Sequence, residues 1–357
     1  MKRILIAAVL LAGIGSAAAQ SPAVETIRAP ALAYSAQPFV RDIYFADPSA
    51  HLFGGRIYIY GSHDIEGPLA DNEPGNRFVM RDYRFLSMDA IGAPVTVHPV
   101  ALELKNVAWA DRQLWAPDAA YKNGHYYLYF PAKDKTGIFR IGVAIGDQPA
   151  GPFVPQAEPM RSAYSIDPAV FTDDDGQSYL YFGGIIGGQL QRWKYGHFDP
   201  SGPTADSANP DQPAVMPRVA KLGPDMLQLA ETPRDAVLLD KKGEPLLAGD
   251  HERRFFEAAK LHKYRGVYYF TYSTGDTHFI NYATGTSPYG PFTYQGHILL
   301  PVSSWTTHQS VLQSNGHWYL FYHDSQLSGR STLRNSKVSE LIYNSDGSIR
   351  IIDPFQH

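Results

Sequence analysis

The sequence predicts an all-β chain folded as a five-bladed β-propeller, and three observations carry that expectation. A hairpin signature recurs five times along the chain, the best apolar stretches are only five or six residues of β-branched and aromatic types, and no window of 15 residues keeps a helical period free of Gly or Pro. Composition agrees: 31 Gly and 27 Pro supply turns, while aromatics reach 13% and charged residues only 18%.

In chain order the hairpins run from Asp47 to Tyr60, Asp118 to Tyr129, Asp167 to Tyr181, Glu257 to Phe270 and His308 to Phe321. Each opens on a polar head, passes through small and apolar residues to a turn glycine (Gly55, Gly124, Gly176, Gly266, Gly316), and returns as a tyrosine-rich strand. Twelve of the 23 tyrosines stand in the strands after those turns, so the aromatic excess reads as core packing. The spacing of the heads suits a four-stranded blade with loops for each unit. In a propeller the innermost strand of every blade lines the central channel, so the five heads are expected to converge on the axis. The Pro/Asp/Ala-rich stretch from Asp199 to Asp250 reads as outer strands of blade three with long loops. The paired tags Pro149 to Phe153 and Pro288 to Phe292 read as equivalent turns in outer strands of two blades.

The chain begins with Lys2 and Arg3, an apolar run from Ile4 to Ile14 and small residues ending at Ala19. Residues 1–19 therefore read as a secretory signal peptide and residues 20–357 as a single catalytic propeller, exported to the periplasm or the medium. The formal net charge of −4 becomes more acidic once Lys2 and Arg3 are removed, and no basic block follows, which argues against nucleic acid or an anionic lipid surface as partner. No later apolar run approaches the roughly 18 residues of a membrane span, so no anchor is expected. With no cysteine, disulfides, thiolate metal sites and a cysteine nucleophile are excluded. The sequence leaves the oligomeric state open.

Convergence would place Asp47, Asp118, Asp167, Glu257 and His308 around one cavity, four acids and an imidazole with no nearby lysine expected to neutralise them. Uncompensated buried charges cost several kcal/mol each, so folding alone would not select such a ring. Two carboxylates suffice for glycoside hydrolysis, one protonated to donate to the leaving oxygen and one ionised to activate water or attack directly, and a third raises the pKa of the acid. Glu257, in the apolar segment Phe255 to Ala259, is the better acid. Asp47 and Asp167 remain as base and tuner, and spacing does not assign them. Each Asp-Pro pair taken alone is an ordinary turn starter. For Asp118 an orienting role competes with substrate binding.

These residues resemble glycoside hydrolase family 43, whose members are five-bladed propellers acting by inversion on arabinosides and xylosides. The resemblance spans nearly the whole mature chain and rests on Ala46-Asp47-Pro48-Ser49, Trp115-Ala116-Pro117-Asp118, Ser165-Ile166-Asp167-Pro168-Ala169, Phe256-Glu257-Ala258 and Thr307-His308-Gln309-Ser310, in that order. It implies Asp47 as general base, Asp167 as the residue that tunes and orients the acid, Glu257 as general acid, and His308 on the channel floor. The strings Gly61 to Asp64, Arg112 to Asp118, Gly183 to Trp193 and Ser273 to His278 are similar to the family's exo-acting β-xylosidases, some activated by a divalent metal. The implied activity is release of xylose from β-1,4-xylooligosaccharides. An α-L-arabinofuranosidase or bifunctional enzyme is the alternative, and a non-catalytic carbohydrate-binding propeller the remote one.

A neutral His308 can ligate a divalent ion, but Ca²⁺ wants six to eight oxygens, here mostly from water. No His-Glu-x-x-His cluster occurs among the 13 histidines, which argues against catalytic zinc. No organic cofactor is expected. Arg334 resembles the family arginine that reaches sugar hydroxyls, against a competing reading as a surface strand charge. Trp115 and Trp193 are candidates for stacking on pyranose faces, against core packing, and His63, Asp64 and His278 are candidates for the pocket rim.

Overall fold

The computed structural model describes residues 34–67, 75–206 and 209–355. The signal-peptide reading of residues 1–19 lies outside them. Five sheets, antiparallel within each blade, follow one another along the chain and give the five-bladed propeller that the repeat implies, with a separate two-stranded hairpin of Trp193–Lys194 and His197–Phe198. Blade one pairs Tyr44–Phe53, Arg56–Asp64, Asp82–Met88 and Thr96–Glu103 in order. Blade two pairs Asp118–Lys122, His125–Asp134, Phe139–Gly146 and Val154–Pro155, with Ala110–Arg112 also on the second of these. Blade three pairs Ala169–Thr172, Ser178–Phe182, Arg218–Lys221 and Arg234–Asp235, and blade four pairs Glu257–Tyr264, Val267–Ser273, Ile280–Gly285 and Phe292–Leu299. Blade five has three strands rather than four, Gln309–Ser314, His317–Asp324 and Asn335–Leu341. The two ends of the described chain meet there: Tyr34 bridges Phe355, and the Phe39 N–H donates to the Ser336 carbonyl.

Local chemistry explains the hairpins. In blades two and five the turns Asn123-Gly124 and Asn315-Gly316 have positive φ at both residues, the two-residue geometry whose twist matches the flanking strands. The Asp199 to Asp250 stretch supplies blade three's outer strands, as its composition implies, with one difference. Leu238–Leu239 leaves blade three and adds in parallel to the edge strand Phe292–Leu299 of blade four, where Leu238 is fully buried.

The core lies between blades. Five apolar clusters fill the spaces between successive blades around the ring, closing with one that packs Phe321 of blade five against Phe45, Ile57 and Ile59 of blade one. Tyr60, Tyr129, Tyr181, Tyr272 and Tyr322, one from the second strand of each blade, are all fully buried. Two of them also explain the paired tags: the Tyr60 hydroxyl donates to the Pro149 carbonyl and the Tyr181 hydroxyl to the Pro288 carbonyl, each tying one blade to the outer turn of the next. Such a bond contributes about 1 kcal/mol net, more if its loss would strand the carbonyl. No helix among the described residues is long and apolar enough to cross a membrane.

Candidate active site

The inner strands bring the heads together because two of them are bulged. Blade one's register slips between Ala46 and Ser49 and blade four's between Glu257 and Lys260, each inserting one residue. Asp47 and Asp167 both adopt left-handed backbone, φ 53° and 56°, a conformation that Asp tolerates better than most residues. The resulting cavity has a volume of about 390 Å³. Asp47, Asp167, Glu257, His308 and Arg334 all line it, and Phe78, Trp115, Ile166, Ile186, Phe256 and Trp305 contribute apolar wall.

Asp47 is nearly closed off from solvent at 6% exposure. Its Oδ1 accepts from Arg334 at 2.8 Å and its Oδ2 from the Ser62 hydroxyl at 2.6 Å. Its backbone N–H donates to His323 Nδ1 at 3.1 Å, while His323 Nε2 lies 3.0 Å from the Thr306 carbonyl, which fixes the proton on Nε2. Burial pushes the Asp47 carboxyl upward, but the Arg334 guanidinium outweighs it and holds the group well below the usual carboxylate range. Asp47 is therefore ionised.

Glu257 has the opposite balance. Burial raises it first and the Asp47 charge adds to that, with Arg334 and the Thr306 hydroxyl only partly offsetting, so its pKa is pushed up to about 7. Asp167 is also raised, by burial and then by Glu257 and Asp47, although its Oδ2 accepts the Ala258 N–H at 2.9 Å. One carboxylate stays ionised while its neighbours hold protons, the division that acid and base catalysis needs.

His308 Nδ1 lies 3.8 Å from both Asp47 Oδ1 and Asp167 Oδ2, and burial drives its pKa down to about 3, leaving it neutral. Among the described residues no three His, Asp or Glu side chains form a metal-holding group. With both Asp47 oxygens already engaged, the donor set fits a divalent ion held by one His308 nitrogen and otherwise by water, rather than a carboxylate cage.

Several other sequence readings change. Arg334 is no surface charge: it is 4% exposed, clasps Asp64 through Nε and Nη2, each at 2.8 Å, and reaches Asp47 with Nη1. Asp64 is consequently buried behind Arg334 and does not rim the pocket, both its oxygens being spent on the guanidinium. His63 bonds Asp82 at 2.7 Å and His278 sits beside Trp305 with ring centroids 6.2 Å apart; neither lines the cavity. Trp193 does not line it either, because its Nε1–H donates to the Tyr164 carbonyl at 2.9 Å and its ring packs among blade residues beneath Arg218. Trp115 does line it, with its Nε1–H turned to the Phe78 carbonyl. Asp118 lies outside the cavity wall, 1% exposed, and the expected absence of a nearby lysine is wrong: Lys260 Nζ stands 3.5 Å from its Oδ1. Phe78, Trp305 and Ile186 are lining residues that the sequence reading did not single out. Trp305 had a signal, its position three residues before His308.

The comparisons decide the family. The family model for glycosyl hydrolases family 43 matches residues 95–349. The chain belongs to that family. This family 43 protein is 56% identical over 320 residues to a xylosidase/arabinosidase 43A of Humicola insolens, covering 87% of this chain and 98% of that one. A β-xylosidase of Xylanibacter ruminicola is 47% identical over 312 residues, covering 87% and 97%. Among solved structures, a family 43 β-xylosidase/α-arabinofuranosidase from a compost metagenome, in complex with xylotriose in a calcium-free form, superposes with a TM-score of 0.88 at 57% identity over 91% of this chain and 99% of that one.

The Arg334 clasp gives a direct test of what holds the family 43 site together. Arg334→Met strands Asp47 and Asp64 as buried charges without a counter-ion, and urea denaturation should show a loss of about 3–5 kcal/mol. Adding Asp64→Asn should restore part of that loss, whereas a loss unchanged in the double variant would locate the cost elsewhere.

Proposed function

We propose that the protein is an exo-acting, inverting β-xylosidase that releases xylose from short β-1,4-xylooligosaccharides. The observation that carries this reading is the pairing, across one cavity, of an ionised Asp47 with a Glu257 that holds its proton up to about pH 7. Asp47 removes a proton from a water as its oxygen bonds to the anomeric carbon, and Glu257 gives its proton to the departing glycosidic oxygen as the C–O bond breaks. Asp167 is raised by burial and by the same two neighbours, and its Oδ2 accepts the Ala258 N–H, which holds it beside the residue that follows Glu257. A cavity of about 390 Å³ with aromatic walls suits a few sugar rings rather than a polymer segment. The solved relative holding xylotriose and the β-xylosidase at 47% identity support a xyloside substrate. The relative called xylosidase/arabinosidase supports the second reading, activity on α-L-arabinofuranosides. Export to the periplasm or medium belongs to the same proposal and rests on the pattern of residues 1–19.

Glu257→Gln should slow xylobiose hydrolysis by roughly 10²- to 10⁴-fold and slow an activated aryl xyloside far less, since its leaving group needs little protonation. Asp47→Ala should abolish both, and NMR should find α-xylose as the first product. Equal losses on the two substrates, or a β product, would overturn the assignment. The rates on 4-nitrophenyl β-D-xyloside and on the α-L-arabinofuranoside separate the two substrate readings.

The pH profile follows from the same two groups. Glu257 must be protonated, so kcat/KM on xylobiose should fall as pH rises through about 7. Asp47 must be ionised and its carboxyl is held low, so the acid limb should lie below the ordinary carboxylate range. A profile still rising above pH 8 would exclude Glu257 as the acid.

A divalent cation such as Ca²⁺ beside His308 is the remaining part of the proposal. When bound it would supply positive charge at the floor beneath the carboxylates, and His308 would be its one protein ligand. Treatment with EDTA should lower activity and Ca²⁺ should restore it; full activity in the chelator removes the ion from the reading.

A further inference from the structure

We infer that Lys260 is a positioning residue, a tie across the central channel that sets the separation between the strand carrying the base and the strand carrying the acid. The inference rests on the glycosidase reading above. Lys260 Nζ donates to the Ser49 hydroxyl at 2.7 Å and stands 3.5 Å from Asp118 Oδ1. Ser49 follows Asp47 by two residues on the inner strand of blade one, and Lys260 follows Glu257 by three on the inner strand of blade four. The bulge in blade four is what makes the tie possible. Its extra residue puts Glu257 and Lys260 on the same face, so the acid and the ammonium both turn toward the axis.

Blades one and four are not neighbours, because blade five stands between them in the ring. No strand pairing fixes the distance between Asp47 and Glu257, yet an inverting displacement needs its two carboxyl groups at one spacing, with a sugar and a water between them. Lys260 supplies a direct constraint between those two strands. Its partner Asp118 extends the tie, since Oδ1 also bonds His51 at 2.6 Å and Oδ2 accepts the Val170 N–H of blade three at 2.6 Å. One ammonium thereby connects blade four to blades one and two, and through Asp118 to blade three. Lys260 does not line the cavity, so it acts through the strands it joins.

The test uses a ratio that cancels the fraction of folded enzyme: kcat on xylobiose, which needs a placed acid, divided by kcat on 4-nitrophenyl β-D-xyloside, which needs it much less. A displacement of about 1 Å can cost up to about 10²-fold, so Lys260→Met should lower this ratio by about tenfold or more, with KM for xylobiose changed less than about threefold. Lys260→Arg, which keeps the charge and donors, should recover most of it. Ser49→Ala removes the far end of the tie without stranding a charge and should move the ratio in the same direction, which carries the test if Lys260→Met fails to fold. A ratio equal to that of the wild type in Ser49→Ala and in folded Lys260→Met overturns the inference. Inactivity of the wild type on both substrates would overturn the glycosidase reading, and the positioning role with it.

Discussion

Concentrated negative charge on the axis of the ring is the constraint around which the rest of this molecule is arranged. Five carboxyl groups gather there, and repulsion together with desolvation would cost several kcal/mol for each one left ionised and unpaired. Two cations make the arrangement compatible with folding, and they are distributed unequally. Arg334 serves Asp47 and Asp64, while Lys260 serves Asp118. Glu257 and Asp167 receive no direct cation partner, and the affordable way to bury them is with their protons on. The division between an ionised Asp47 and a protonated Glu257, on which the proposed mechanism rests, is thus a consequence of where two positive charges were placed.

The same residues hold the ring closed. Asp118 accepts from Ser49 of blade one and from the Val170 N–H of blade three. Asp167, just ahead of blade three, accepts from Ala258 of blade four, Gln309 of blade five donates to the Ala258 carbonyl at 2.9 Å, and Ser310 accepts the Ala50 N–H of blade one at 3.0 Å. Between the outer parts of the blades the contacts are largely apolar, supplemented by bonds such as those of Tyr60 and Tyr181, and apolar burial favours closure without specifying angular placement to a fraction of an ångström. Directional bonds at the axis add that specification. Head residues therefore carry two duties, stapling blades and presenting carboxyl groups, and a substitution there disturbs both.

Much of this was legible in the chain. The blades announce themselves because an antiparallel hairpin needs few signals, namely a turn glycine flanked by aromatic and β-branched strands, and the chain repeats them five times. Asp47, Asp167, Glu257 and His308 were found because equivalent positions in a radial repeat must face the same opening. What escaped notice has identifiable causes. Lys260 was missed because a period of two places it on the face opposite Glu257, and only the bulge reverses that. Arg334 was singled out through the family resemblance alone, because its partner Asp64 is 270 residues away in sequence and nothing local marks the arginine as buried. Trp193 and Trp115 are indistinguishable by composition, and the hydrogen bond each indole N–H makes does not separate them either. The difference is where each ring lies, Trp115 in the cavity wall and Trp193 against the apolar clusters between blades.

The apolar wall completes the argument by linking substrate entry to proton affinity. Phe78, Trp115, Phe256 and Trp305 offer the faces of a sugar ring a surface that gains from expelling water. The same expulsion lowers the polarity around Glu257, and burial is already the largest influence raising its pKa. Asp47 is insulated from that change, because Arg334 and Ser62 already occupy its oxygens and replace the water it would lose. Filling the cavity therefore strengthens the hold of Glu257 on its proton while leaving Asp47 charged, so that the two groups are driven further apart in proton affinity, in the direction that their proposed roles as acid and base require.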